Sequence, residues 1–318
     1  MILSCQRTKN YSNSDRMSSE KVLNIIILSL LLFASCNGNA ENDEFNSVIE
    51  EKFYTASVFA NIDGLTTGVN HSAQGFAAYN NTGFCFYDGG YCQTINLLEE
   101  TTNALFRLPD GVANPKNHCG VACFSDVFLN SNDIYPLLYL SSYKELKCYV
   151  LRLTKTTAEL VQEIQMKDED GEIASVYAFM PDKDRLVMKS SKPQKQDGRY
   201  KYLWKVAKRP PIEVGGKVFL TKEDVTGAFY VDSSDEYNVG FCRNNRIYQI
   251  AGYHGYGTKK LYIIDYIEKR ILKEVVWEEP FLYQEEHEQC CPYGEDGMLI
   301  NYNGADYISH IKFNYWRY

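Results

Sequence analysis

Three of the five histidines in this 318-residue chain fall in one kind of setting. Asn70-His71, Asn117-His118 and Glu286-His287 each stand just ahead of a short apolar run. Asp170 and Glu172, then Glu223 and Asp224, hold the matching place ahead of two further runs. Imidazole ligates transition metals and acts as a general base near neutral pH. If the runs converge on one axis, His71, His118, His287, Glu286 and Asp224 line a polar, ligand-binding mouth. The plainer alternative is that each Asn-His pair caps a strand end and bonds a neighbouring loop. That alternative suits any single histidine, and the pocket reading rests on the three together. No residue is assigned a catalytic role.

The cysteines offer less. Cys85 and Cys92 flank Phe86-Tyr87-Asp88-Gly89-Gly90-Tyr91. With Asp88-Gly89 as a two-residue turn, Tyr87 pairs with Gly90 and Cys85 with Cys92 across a hairpin. That would be a hydrogen-bonded pair, whose geometry suits a disulfide poorly. His118-Cys119-x3-Cys123 and His287-x2-Cys290-Cys291 lack the paired spacing of a closed zinc site. Cys119 and Cys123 read as small buried residues on one strand face, and Cys148 and Cys242 as core. No cofactor is assigned; a metal held by the axial histidines is the one candidate. Neither a GxSxG elbow, an HExxH helix, a P-loop nor an EF-hand loop occurs. Gly252-Tyr253-His254-Gly255-Tyr256-Gly257 has no βαβ unit around it and reads as an aromatic loop. Lys192 to Tyr202 reads as a basic hairpin tip.

The elements that must position these residues are strands. From about Phe53 the apolar residues alternate or cluster in runs of four to eight, punctuated by Gly, Asn, Asp and Pro. Ala158 to Met166 comes nearest to a helical period. Four segments match: CQTINLLEETTNALFRL from Cys92, CYVLRLTKTTAELVQEI from Cys148, KYLWKVAKRPPIEVGG from Lys201 and LYIIDYIEKRILKEVVW from Leu261. Each is a strand, a polar turn and a second stretch. A partial fifth copy starts at Asp306, and successive copies lie 56, 53, 60 and 45 residues apart.

A second repeated element precedes each copy, at Gln74, Cys119, Ser175, Ala228 and Cys290. Four strands per unit at a period of about 50 residues predict a propeller blade. The expected fold is therefore an all-β β-propeller of five countable four-stranded blades, with a sixth allowed. The last unit lacks a fourth strand, and Phe53-Tyr54-Thr55-Ala56-Ser57-Val58-Phe59-Ala60 is expected to supply it and close the ring.

The N-terminus reads as a targeting device. Val22 to Ala34 is a thirteen-residue apolar stretch behind Lys21, the length of a signal-peptide h-region and short of a membrane span. Phe33-Ala34-Ser35-Cys36 resembles the lipobox of bacterial lipoproteins, with Phe33 where Leu is usual. That resemblance implies a lipidated Cys36. The expected organisation is a signal peptide over residues 1–35 (Met17 offers an alternative start), a lipidated acidic tether over 36–50 and one propeller domain over 51–318. The balance of charge is −8 for the chain and −10 once residues 1–35 are removed. With 14% aromatic residues, this excludes a disordered chain and disfavours a nucleic-acid surface.

The segments QGFAAY…FCFYDGGYC, NHCGVACFSD…YPLLYLSS and CYVLRLTKTTAELVQEI resemble uncharacterised bacterial β-propeller lipoproteins, described as six-bladed or quinoprotein-dehydrogenase-like. The resemblance covers most of residues 70–318 and implies a fold and an address. True quinoprotein dehydrogenases have eight Trp-rich blades, whereas this chain has three Trp. The resulting expectation is a binding or scaffold module, exported and lipid-anchored at the bacterial cell envelope, on the outer membrane at either its periplasmic face or the cell surface. Its expected partners are the membrane through its anchor, and a carbohydrate, a peptide or an envelope protein, with no nucleic acid. The alternative is a lyase or hydrolase acting on a glycan or small molecule at the His-lined mouth.

Overall fold

The computed structural model describes residues 52–55, 73–99, 101–103, 105–233, 237–251, 258–278, 286–295, 297–303 and 307–312. Strand β1 (Lys52–Thr55) comes first in the chain and last in the architecture. The first blade runs β2 (Ala73–Tyr79), β3 (Thr82–Tyr87) and β4 (Tyr91–Asn96), with the broken outer pieces β5 (Thr101–Thr102) and β6 (Phe106–Arg107). The second runs β7 (Val121–Phe124), β8 (Leu138–Ser142), β9 (Lys147–Leu153) and β10 (Ala158–Met166). The third has β11 (Val176–Asp182), β12 (Arg185–Ser190), the short β13 (Gln194–Gln196) and the long β14 (Arg199–Lys208). After β14 the chain leaves the blade: β15 (Gly216–Leu220) pairs parallel with β10 of the second blade. It then returns as β16 (Val225–Ser233) on β14. The fourth blade is β17 (Tyr237–Arg243), β18 (Arg246–Ala251), β19 (Thr258–Asp265) and β20 (Arg270–Glu278). In the fifth, β21 (Glu286–Tyr293), β22 (Gly297–Asn303) and β23 (Tyr307–Lys312) are completed by β1, antiparallel to β23.

The innermost strands close a ring. β2 packs on β7, β7 on β11, β11 on β17, β17 on β21, and β21 back on β2. The fold is a β-propeller, and the described residues build five four-stranded units of it. The N-terminal strand supplies the missing fourth strand of the last unit, which removes an open sheet edge.

The core lies between blades, because each sheet is apolar on both faces and each face needs a neighbour. Phe84, Phe86 and Cys92 of the first blade pack against Leu138, Tyr149 and Leu151 of the second. Val150 and Ile164 of the second meet Phe179, Leu186 and Met188 of the third. Phe76 and Cys85 meet Cys291, Leu299 and Ile308 of the fifth across the closure. Burying one such Phe or Leu contributes about 1.5–3 kcal/mol.

Near the axis the strands need small residues. A methyl on Gly75 would stand 2.5 Å from the Cys119 carbonyl oxygen, so only glycine lets β2 approach the second blade there. Ala77, Ala78 and Ala122 come together where the inner strands converge. Four of the five inner strands are also bulged against their second strand, at Ala73/Phe76, Tyr177/Met180, Tyr237/Gly240 and His287/Gln289. A bulge frees backbone groups and re-aims side chains.

Several sequence expectations need correction. The hairpin at Cys85 has a three-residue connection, Asp88-Gly89-Gly90, so Tyr87 pairs with Tyr91, Phe86 with Cys92 and Cys85 with Gln93. Gly89 and Gly90 take left-handed φ of 80° and 83°, which a two-residue turn with Gly90 as a strand residue does not provide. The one-residue slip puts Cys85 and Cys92 on opposite faces, in the cores on either side of the first blade. Both are free thiols.

Ala158–Met166, the stretch nearest to a helical period, is a strand as its place in the repeat predicts, paired with β9 and β15. The third blade's outer strand is Val225–Ser233 rather than the stretch through Pro210-Pro211, because proline has no amide to give to a ladder. Ala228 therefore does not open the fourth blade, whose inner strand is Tyr237–Arg243. Cys119, with φ 39°, lies just outside β7 rather than on its face.

Candidate functional site

The mouth where the inner strands begin is organised by Asn117. This side chain is 1% exposed, donates to Val112 O at 2.8 Å and accepts from the Cys119 amide at 2.9 Å. Its carbonyl accepts from Gly89 N at 3.0 Å, fastening the β3–β4 turn to the segment before β7. Two adjacent side chains are brought together by this arrangement. His118 Nδ1 donates to Asp88 Oδ1 at 2.6 Å, since a carboxylate can only accept. The Asn-His pair thus divides the labour: Asn117 caps and ties, and His118 reaches the neighbouring blade.

Aromatic rings continue from there. His118 lies edge-on to Tyr143, with ring centroids 6.3 Å apart. Tyr143 meets Tyr177 at 5.1 Å and 83°. Beyond it, the Lys189 ammonium stands 5.6 Å from the Tyr177 ring centroid and 4.5 Å from that of Tyr202. Lys189 is 1% exposed, and aromatic faces around a cation stabilise it more when water is excluded. The series Asp88, His118, Tyr143, Tyr177, Lys189, Tyr202 crosses three blades. His118 and Asp88 keep 30% and 17% of their side-chain surface, so a solute can reach them.

The other predicted residues that the structure describes lie on two further elements. His287 is buried at the start of β21, its ring 4.8 Å from that of Tyr302, its partner across the sheet. Glu286 begins the same strand. Asp224 is not at the mouth. It ends a single 3₁₀ turn, where its carboxylate accepts from the Thr221 amide at 2.8 Å, and the next strand is the outer strand of the third blade. Its misplacement follows from the misread fourth blade. His71, Cys36 and the Gly252–Gly257 loop lie outside the described residues. Among the described residues, no three His, Cys, Asp or Glu side chains gather to hold a metal.

The sequence reading missed Gln289, which occupies the axis. Its side chain is wholly buried. Oε1 accepts from Phe76 N and Ala122 N, both at 2.8 Å. Nε2 donates to Ala122 O at 2.7 Å and toward Gly240 O at 3.4 Å. One amide thereby joins the inner strands of four blades. Asn301 supports it, accepting from Gln289 N at 3.0 Å and donating to Gln74 O at 2.9 Å. Toward the far end the axis leaves a cavity of about 40 Å³ lined by Ala122, Cys123, Phe241, Cys291 and Pro292. At roughly 10–15 Å³ per water, that holds a few water-sized molecules and no glycan. Burial pushes the Cys123 thiol up to about 12 and the Cys291 thiol well above its ordinary value, so neither is a nucleophile near neutral pH.

No protein-family model and no curated protein sequence matches the chain. Solved structures similar to it include a protein of unknown function from Bacteroides thetaiotaomicron, at 11% identity and TM-score 0.38 over 79% of this chain and 71% of that one. Chaetomium thermophilum Raptor is similar at 9% identity and TM-score 0.36, over 77% of this chain but 28% of Raptor. The Cps50 (Swd1) β-propeller domain of Myceliophteria thermophila is similar at 10% identity and TM-score 0.35, over 78% of this chain and 98% of that one. The propeller assignment stands on this chain's own ring of inner strands.

Proposed function

We propose that this protein is a propeller binding module, held at the bacterial cell envelope by lipid on Cys36, that recognises a carbohydrate or peptide at the mouth of the inner strands. The observation that carries the recognition half is the run from Asp88 through His118, Tyr143 and Tyr177. It combines a reachable hydrogen-bonding pair with half-buried aromatic faces, on rigid sheets of three blades. Rings with a polar partner beside them suit sugars and peptide side chains. The lipid half rests on the lipobox-like Phe33-Ala34-Ser35-Cys36. Binding is tested on glycan and peptide arrays with the parent and with Tyr143→Ala and His118→Ala; a ligand whose signal survives both changes refutes the site. Anchoring is tested by Cys36→Ser, which should abolish membrane partitioning and lipid labelling.

The His118–Asp88 contact favours a second reading, an enzyme of lyase or hydrolase type. A carboxylate on Nδ1 orients an imidazole and leaves Nε2 to take a proton. Turnover of a glycan that is lost in His118→Ala while binding persists would select this reading over the module.

A further inference from the structure

We propose that the cleft between the second and third blades binds a small anionic ligand about the size of one sugar ring. The cleft has a volume of about 260 Å³ and lies at the end of the shared core of these blades, with Asp168 and Ala174 on one side and β11, β12 and β14 on the other. That is just under the usual 300–1,000 Å³ range for ligand pockets.

Three lysines line it, Lys192, Lys201 and Lys205, on a chain whose overall charge is −8. Their partners are poor. Among the described residues, the polar contact of the half-buried Lys205 Nζ is the Met166 thioether at 3.8 Å. A thioether is a weak acceptor and no counter-ion. Lys192 has no carboxylate within ion-pair distance among the described residues, and Lys201 has one loose pair, with Asp232 at 3.8 Å. That pair is half-exposed and worth little. A partly desolvated ammonium without an anion is unfavourable, and an entering anion relieves it.

The carboxylate that shares the cleft is already engaged. Asp168 Oδ1 accepts from Asp170 N and Glu172 N, each at 3.1 Å, closing its own turn. Neutral donors stand nearby: Ser175 and Ser190 line the cleft, with Ser175 Oγ 2.5 Å from Ser191 Oγ. Tyr230 offers a ring that is 45% exposed with Lys201 5.7 Å from its centroid. Cations for a carboxylate, sulfate or phosphate, hydroxyls for sugar hydroxyls and one aromatic face together define an acidic or phosphorylated sugar. The site involves neither His118 nor Asp88, so it does not depend on the mouth being functional.

The test is calorimetry on the parent in low salt with glucuronate, glucose 6-phosphate, inorganic phosphate and glucose. Binding of the anionic sugars, none of glucose, and a roughly tenfold or greater loss in Lys205→Met with a Tm no lower than the parent's in the absence of ligand is the expected result. Lys192→Ser, at an exposed position, should weaken binding several-fold, and so should raised salt. Absence of binding by every anion overturns the proposal. So does binding that both lysine variants retain, or inorganic phosphate binding as tightly as the sugars with Tyr230→Ala without effect.

Discussion

The side-chain amide of Gln289 pairs with the backbone of Ala122 as a neighbouring strand would, giving Nε2–H to its carbonyl at 2.7 Å and taking its N–H at 2.8 Å. The two residues are 167 positions apart and belong to the fifth and second blades. The pairing is possible because β21 is bulged between His287 and Gln289, and it answers backbone groups that converging inner strands cannot pair among themselves.

Gln289→Ala should therefore cost more than an ordinary surface or cavity change. It orphans Phe76 N, Ala122 N and Ala122 O in a buried site, each worth about 1–3 kcal/mol. A loss of about 3 kcal/mol or more in urea unfolding is expected, a large share of a typical 5–15 kcal/mol stability. A loss under about 1 kcal/mol would mean the axis repacks.

Asp182 should behave similarly between the third and fourth blades. Its buried carboxylate accepts from Asn244 N at 3.2 Å, Asn245 N at 2.7 Å and the Tyr266 hydroxyl at 2.8 Å. Burial and this bond hold the Tyr266 phenol well above its ordinary range. Asp182→Ala is expected to lower stability by about 2–3 kcal/mol. Ultraviolet titration should also show the Tyr266 phenol ionising at lower pH in the variant than in the parent.

Acid sensitivity should include Asp133. Arg152 donates to its Oδ1 through Nε at 2.9 Å and Nη2 at 2.7 Å. This bond holds the Asp133 carboxyl below its ordinary value of 3.8. A depressed folded value means stability that is present above that ordinary value and lost as pH falls through the folded one. Asp133→Asn should be about 1 kcal/mol less stable than the parent at pH 7. The gap should narrow in unfolding curves taken as the pH falls below that ordinary value of 3.8, and a constant gap would contradict the assignment.

The buried cysteines among the described residues should be inert while the protein is folded. Burial pushes Cys85 and Cys123 up to about 12, so the thiolate that alkylates is scarce at pH 8. Iodoacetamide should modify them at the rate of unfolding, with all eight described cysteines reacting in urea without prior reduction. Rapid native labelling of Cys85, or a need for reductant, would argue against this core.

Ring closure should be cooperative. A chain lacking residues 52–55 leaves β23 as an open edge and should aggregate or lose its sharp unfolding transition. A truncated chain with the parent's Tm would show that β1 is dispensable.

Much of this architecture follows from local pattern. Alternating apolar runs at a period near 50 residues require sheets that bury both faces against copies of themselves, and a unit short of one strand requires a donor. Residues near Phe53 do supply that strand. The pattern misled where one residue or one proline pair decides. Two left-handed glycines moved the Cys85 hairpin by a single step and sent its thiols to different cores. Pro210-Pro211 diverted the chain to the second blade, which removed Asp224 from the mouth.

The site was legible only in part. His118 could be singled out because its dipeptide recurs, but its partner Asp88 is 30 residues away in a turn that carries no chemical signature. Gln289 is one of four consecutive polar residues that open β21, and nothing local sets it apart; its value comes from four backbones that meet nowhere in sequence. Local periodicity thus determined the strands, their number per unit and the closure of the ring. The joining of Asp88 to His118, the sealing of the axis and the lysine-lined cleft were decided by the tertiary structure, because each depends on distances between blades, and those are set by how the closed ring packs.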